Sequence, residues 1–206
     1  MGDVASLRVP RVAGGTLRGV PPMTAARSES RCLVMRLLLS SDWHLGRSLF
    51  HERLLRDQHF VLSQILAIAR EEKPQALIVA GDIYDRAVPT PDAVELLDDI
   101  LSHSVLDLQL DVVLLAGNHD SRERLSFAAR LLERNRLHIA AARDPFRLIT
   151  LCDSSGPLDI LALSYLEPPE AREFLRLPDP CDHDAALRAL IASARPHLHA
   201  SRTIIA

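Results

Sequence analysis

Three short polar clusters stand directly after apolar runs: Ser41-Asp42-Trp43-His44-Leu45-Gly46, Gly81-Asp82-Ile83-Tyr84-Asp85-Arg86 and Gly117-Asn118-His119-Asp120. Between them they offer Asp42, His44, Asp82, Asn118 and His119, a mixed oxygen and nitrogen donor set without a thiolate. Such a set suits Mn²⁺, Fe²⁺, Mg²⁺ or Zn²⁺ rather than an iron–sulfur cluster or a structural zinc site. In this arrangement Asp82 bridges two ions, Asp42 and His44 flank one, and Asn118 offers a neutral oxygen to the other. Two ions roughly 3.5–4 Å apart share a water, lower its pKa and aim the hydroxide at phosphorus in line with the leaving oxygen. His119, next to Asp120, is then an oriented imidazole that gives a proton to the leaving alkoxide or stabilises phosphoryl charge.

Taken singly, each cluster has a plainer meaning. Asp42 can cap a helix, and Gly-Asp and Gly-Asn are common turn pairs. Their joint placement, each at the end of a strand-like run, is what points to phosphoester hydrolysis. Arg47 follows the first cluster and Arg86 closes the second. They can contact substrate phosphates or simply pair with nearby carboxylates. Trp43, between two candidate ligands, is read as packing rather than base stacking.

The positioning elements alternate in type. Leu37–Leu39 is a short buried-strand run, and residues 56–72 carry Phe60, Val61, Ile65, Leu66, Ile68 and Ala69 at helical spacing. Ala76–Ala80 is the next strand, stopped by Gly81. Thr90-Pro91 opens a helix that Thr90 can cap, with Val94, Leu97, Ile100 and Leu101 on one face. Val112–Ala116 is a third strand, and Ser121 can cap a helix through Leu125, Ala128, Ala129, Leu131 and Leu132. This βαβαβα order predicts an α/β layer structure with parallel strands. In such sheets ligands bind beyond the carboxyl ends of the strands, where all three clusters fall. Strands follow at 137–140, 146–151 and 158–164, then a helix over 184–194 and a last strand-like run, Arg202–Ala206.

Composition sets the frame. The chain has 206 residues, 48% hydrophobic and 25% charged, enough for one sizeable core without disulfide or structural metal. Cys32, Cys152 and Cys181 are few and far apart, which suits a reducing compartment. No run reaches the length of a membrane span and no apolar signal segment opens the chain, so a cytoplasmic location is expected. The formal net charge of −3 gives no general attraction to nucleic acid, although a local patch or a basic partner can supply one. Residues 1–34, rich in Arg, Pro, Gly and Ala, lack periodicity and are read as a disordered or mis-annotated extension, with Met35 as the natural start. The alternative is a basic arm carrying Arg8, Arg11, Arg18, Arg27 and Arg31 to phosphates.

The clusters resemble the calcineurin-like metallophosphoesterase superfamily, whose pattern is Asp-x-His, Gly-Asp-x-x-Asp, Gly-Asn-His-Asp/Glu, a later lone His and a final Gly-His-x-His. More narrowly, residues 35–47, 79–89 and 115–121 resemble the SbcD family of nuclease subunits, with Ser-Asp-Trp-His-Leu-Gly-Arg the most specific stretch. The resemblance implies an α/β/β/α sandwich over residues 35–206. It carries Asp42, His44, Asp82 and Asn118 over as metal ligands and His119 as the catalytic histidine, and Asp120 beside it is expected to be the second catalytic residue. It also implies double-strand exonuclease and single-strand endonuclease activity in DNA repair, recombination and replication. Two divalent ions are implied, manganese foremost with Mg²⁺ or Fe²⁺ as alternatives. The implied partners are DNA, an SMC-like coiled-coil ATPase of the SbcC type and a second copy of the chain, at the nucleoid.

The sequence also departs from the pattern. The later lone His and Gly-His-x-His are absent, so the chain is expected to be the N-terminal part of the domain, incomplete at its C-terminus and weak or inactive alone. His197-Leu198-His199 lacks the glycine and is read as a solvated helix end. His51, His59, His103, His138 and His183 are read as surface or structural. The competing functions are another metallophosphoesterase, such as a cyclic-nucleotide phosphodiesterase or a phosphatase, and a non-catalytic fragment.

Overall fold

The apolar runs at 76–80 and 112–115 are continuous rather than alternating because their sheet is covered on both sides. The computed structural model describes residues 34–141 and 146–206, so the extension read over residues 1–34, and with it the alternative of a basic arm, lies outside the described residues except for Val34. The chain runs through β1 (Leu37–Ser40), a small hairpin of β2 (Ser48–Leu49) and β3 (Glu52–Arg53), α1 (Leu55–Glu72) and β4 (Ala76–Ala80). It continues through α2 (Pro91–Ser102), a π-helical turn over His103–Asp107, β5 (Asp111–Leu115), α3 (Arg122–Leu125), α4 (Ala129–Leu132) and β6 (Leu137–Ala140). The remainder is β7 (Phe146–Asp153), β8 (Gly156–Leu163), α5 (Pro168–Leu175), α6 (His183–Ala194) and β9 (Arg202–Ile205).

Strands β1, β4, β5 and β6 form a parallel sheet in the order β1-β4-β5-β6. Alternation of side chains sends Leu77, Val79, Val112, Leu114, Leu137 and Ile139 to one face, against α1 and α2. It sends Ile78, Val113, Leu115 and Ala140 to the other, against Ile149 of β7 and Ile160 and Ala162 of β8. The second sheet, β7-β8-β9, thus stacks on the first through an apolar layer. Full burial of a Val, Leu or Ile side chain stabilises by about 1.5–3 kcal/mol, so this double-sided core holds the site-bearing strands firmly. Strands β8 and β9 are parallel, and the connection between them contains α5 and α6. The segment after α6 lies on the outer face of β8, where Asp159 accepts hydrogen bonds from the amides of His199 and Ala200. The α/β/β/α architecture is the one the resemblance implied.

Three expectations need correcting. The stripe of α1 that meets the sheet is Leu62, Ile65, Leu66 and Ala69, while Phe60, Val61 and Ile68 are exposed. Spacing identified the helix, but two apolar stripes competed for its inner face. Helix α2 likewise turns Ala93, Leu96, Leu97 and Ile100 inward and Val94 outward, and Thr90 makes no side-chain cap bond. The helix expected over 121–132 is two four-residue pieces, broken where Ala128 takes φ 57. Ser121 does cap the first piece by accepting from the amide of Arg124.

Candidate metal centre

The first two clusters continue the β1–β4 pairing past the ends of the strands. The amides of Asp42, His44 and Leu45 donate to the carbonyls of Gly81, Asp82 and Ile83 at 3.2, 2.9 and 2.9 Å, and Asp85 N–H returns to Leu45 O. This laces the Asp-x-His loop to the Gly-Asp-x-x-Asp loop residue by residue. Asp42, His44 and Asp82 all sit at positive φ, 55°, 44° and 47°, a sparsely populated region for residues other than glycine. Such backbone persists only where its surroundings hold it, and it gathers at functional sites.

The third cluster meets the second at van der Waals limits. A Cβ on Gly117 would collide with the carboxylate and amide of Asp82, and one on Gly81 would lie 3.2 Å from Gly117 Cα. Both positions therefore need glycine. Asp120 then fastens the two loops, because its carboxylate accepts from the amides of Ile83, Tyr84 and Gly117 at 3.0, 2.9 and 2.9 Å. Asp82 Oδ1 in turn accepts from the amide of His119 at 3.1 Å. From below, Gln58 of α1 holds the first loop, with Nε2 donating to the carbonyls of Trp43 and His44 and Oε1 accepting from Gly46 N–H. Trp43 is buried and donates from Nε1 to Ser40 Oγ, so it is packing.

These fastenings bring the donors together. One donor atom each from His44, Asp82 and His119 lies within 4.8 Å of the others. His44 Nε2 faces Asp82 Oδ2 at 3.6 Å and Asp42 Oδ1 at 4.0 Å. Asp42, Asp82 and Asn118 also line one side of a hollow of about 320 Å³ that Ala206, beyond β9, borders as well. Carboxylate oxygens and an imidazole nitrogen converging from strained loops fit a divalent cation, in both donor chemistry and direction.

The orientation of His119 differs from expectation. Its Nδ1 lies 2.9 Å from the carbonyl of Asp85, while the Asp120 carboxylate is engaged with backbone amides. That carbonyl is the main cause of a raised His119 pKa. Burial opposes it, the charges of Asp82 and Asp85 add to it, and Arg47 subtracts. An Nδ1–H donated to Asp85 leaves Nε2 facing the site. The rings of His44 and His119 meet edge to face at 4.8 Å.

The Asp85 carboxylate has a different client, His44 Nδ1, at 3.6 Å. At that distance no hydrogen bond forms and the buried Nδ1 has no partner, so the carboxylate acts on the ring through its charge. Arg47 and Arg86 both face this same carboxylate, at 3.9 and 3.7 Å. Burial, then the charges of Asp120 and Asp98, push the Tyr84 phenol up to about 12, so it stays protonated near neutral pH. Gln58 and Asp85 are the residues that sequence reasoning passed over. Gln58 stands in a polar first turn, Arg56-Asp57-Gln58-His59, and carried no signal, whereas Asp85 is the last Asp of Gly-Asp-x-x-Asp.

The arrangement has a known counterpart. The profile of the calcineurin-like phosphoesterases matches residues 35–191, more than half of the chain, and the chain belongs to that family. It is a family of phosphoester hydrolases that use divalent metals. Among individual proteins, the chain is similar to the SbcD component of the nuclease SbcCD from Staphylococcus epidermidis, 35% identical over 105 residues. That stretch is 51% of this chain and 28% of that protein, so the match spans less than a third of the relative's length. Among the described residues no helix is long and apolar enough to cross a membrane.

Proposed function

We propose that the protein is a metal-dependent DNA nuclease subunit that hydrolyses phosphodiester bonds in double-strand-break repair and recombination. The observation that carries this reading is the convergence of His44, Asp82 and His119 within 4.8 Å at the carboxyl edge of a parallel sheet. The similarity to the SbcD component of a nuclease supports choosing nuclease among the phosphoester hydrolases. Asp42, His44, Asp82 and Asn118 would hold two divalent ions, manganese foremost. Bound there, the ions would polarise the phosphoryl oxygens and lower the pKa of the attacking water.

The chain's own residues do the rest. The Asp85 carboxylate lies on the Nδ1 side of His44, and Nε2 faces the carboxylates of Asp82 and Asp42. His119, held through Nδ1 by the Asp85 carbonyl, would give a proton from Nε2 to the leaving oxygen. Asp120 acts through the backbone: it fixes the loop that carries His119 and does not itself meet substrate. The partners that follow are DNA, an SMC-like coiled-coil ATPase and a second copy of the chain, in the cytoplasm at the nucleoid.

The deciding measurement is Mn²⁺-dependent cleavage of linear duplex DNA, single-stranded DNA and a small chromogenic phosphodiester, with His119→Ala as control. DNA cleavage abolished by His119→Ala is expected. Cleavage of the small ester alone would make the protein a small-substrate phosphodiesterase instead.

A further inference from the structure

The imidazole of His44 lacks the anchor that a metal-binding ring ordinarily has. Such a ring usually donates its second N–H to a neighbouring oxygen, and that bond fixes its direction. Here Nδ1 is buried without a hydrogen-bond partner, the Asp85 carboxylate standing 3.6 Å away. The ring's direction must therefore be set through its backbone. Two peptide groups flank the His44 Cα, and all four of their polar atoms are bonded. The amides of His44 and Leu45 donate to Asp82 O and Ile83 O, while the carbonyls of Trp43 and His44 accept from Gln58 Nε2 at 3.1 and 2.6 Å. The His44 carbonyl also accepts from Arg47 N–H at 3.1 Å. One side of the loop is thus held by the neighbouring strand end and the other by a single glutamine.

Gln58 is well placed to act as a strut. Its Oε1 also accepts from Gly46 N–H at 3.1 Å, so one side-chain amide spans residues 43–46, where His44 and Gly46 take φ 44° and 85°. Its own amide donates to Leu54 O, and Leu62, one helical turn on, is buried in the core. The side chain therefore ties a strained loop to a helix that the core holds still. We infer that Gln58 is a positioning residue for metal binding and hydrolysis, aiming His44 Nε2 by pinning the peptide groups on either side of it. The inference rests on the metal-dependent hydrolase reading and deepens it by naming the residue that directs one ligand. Gln58 itself meets neither metal nor substrate.

The test is calorimetric titration of the full chain with Mn²⁺, beside amide hydrogen exchange of the metal-free protein. Gln58→Met keeps a side chain of similar length and removes all three bonds. It is expected to weaken Mn²⁺ binding at least about tenfold. It should also speed exchange at Leu45 and Gly46 while leaving Ile78 and Val79 of β4 as they were. Gln58→Glu keeps an acceptor for Gly46 but loses both donated bonds. Its added charge alone would tighten cation binding, so the expected weakening separates aim from charge. Ser63→Ala, which removes only a hydroxyl bonded within α1, should change neither readout. Unaltered affinity in Gln58→Met, tighter binding in Gln58→Glu, equally faster exchange throughout β4, or no Mn²⁺ binding by the unmodified chain would each overturn the inference. Gln58-dependent Mn²⁺ binding without DNA cleavage would keep the strut and remove the nuclease. DNA cleavage with Mn²⁺ binding indifferent to Gln58 would do the reverse.

Discussion

Asp120 and Asp159 do the same job in two different places. Each carboxylate gathers hydrogen bonds from distant parts of the chain, Asp120 from the amides of Ile83, Tyr84 and Gly117, Asp159 from Thr150 Oγ1 and the amides of His199 and Ala200. Burial alone would raise the Asp159 pKa, but the hydrogen bonds from Thr150, Ala200 and His199 overcome it and hold the group ionised. The segments that Asp120 joins carry candidate ligands, whereas those that Asp159 joins carry only the chain into β9. An anionic side chain on backbone amides is thus a general fastener in this fold, and only its location makes it functional.

Substitutions can break that contrast, and Gly117→Ala should act most strongly. The added methyl has no room against Asp82, so a loss of about 3 kcal/mol is expected, together with loss of Mn²⁺ binding. Thermal melts and calorimetric titration would show it; wild-type metal affinity would mean that the loops can part without harm. Asp120→Ala should follow, costing about 2–3 kcal/mol by stranding amides and lowering metal affinity at least about tenfold. Asp159→Ala should cost about 2 kcal/mol in urea unfolding and leave metal affinity alone. An equal fall in metal affinity from both Asp variants would erase the distinction between the regions.

The smallest effect sharpens the contrast through pH. Hydrogen bonds from Arg202, then from Met35 N–H, hold Asp153 well below the usual carboxylate range. A depressed folded-state pKa stabilises above the unfolded value of about 4 and loses that contribution as pH falls through the folded value. Asp153→Asn should therefore lower the urea midpoint at neutral pH, with the gap to wild type closing below about pH 4. A constant gap across acid pH would show that the charge of Asp153 does not matter.

Much of this was legible in sequence because backbone and burial rules are local. The runs Ala76–Ala80 and Leu137–Ala140 are strands with those bounds, and all three polar clusters lie at strand ends as expected. Side-chain alliances across the chain were less accessible. Asp120 adjoins His119 in sequence, yet it serves the backbone of another loop, and the carbonyl that orients His119 belongs to Asp85. Nothing in a linear reading tells a carboxylate that meets a ring from one that meets amides. The hairpin at 48–53 was missed because two-residue strands carry no periodicity. Helix α5 was missed although Pro168 and Pro169 stand at its first turn, a usable signal.

The positive φ angles of Asp42, His44 and Asp82 have a thermodynamic side. Each left-handed position costs roughly 1–2 kcal/mol, so the loops stand above their relaxed conformation by a few kcal/mol. A cation that binds only the strained form draws against that difference and stabilises the folded chain by RT ln(1 + [L]/Kd), about 2.7 kcal/mol at a hundred times Kd. Divalent-metal availability would therefore be felt as heat tolerance and protease resistance, apart from any hydrolysis.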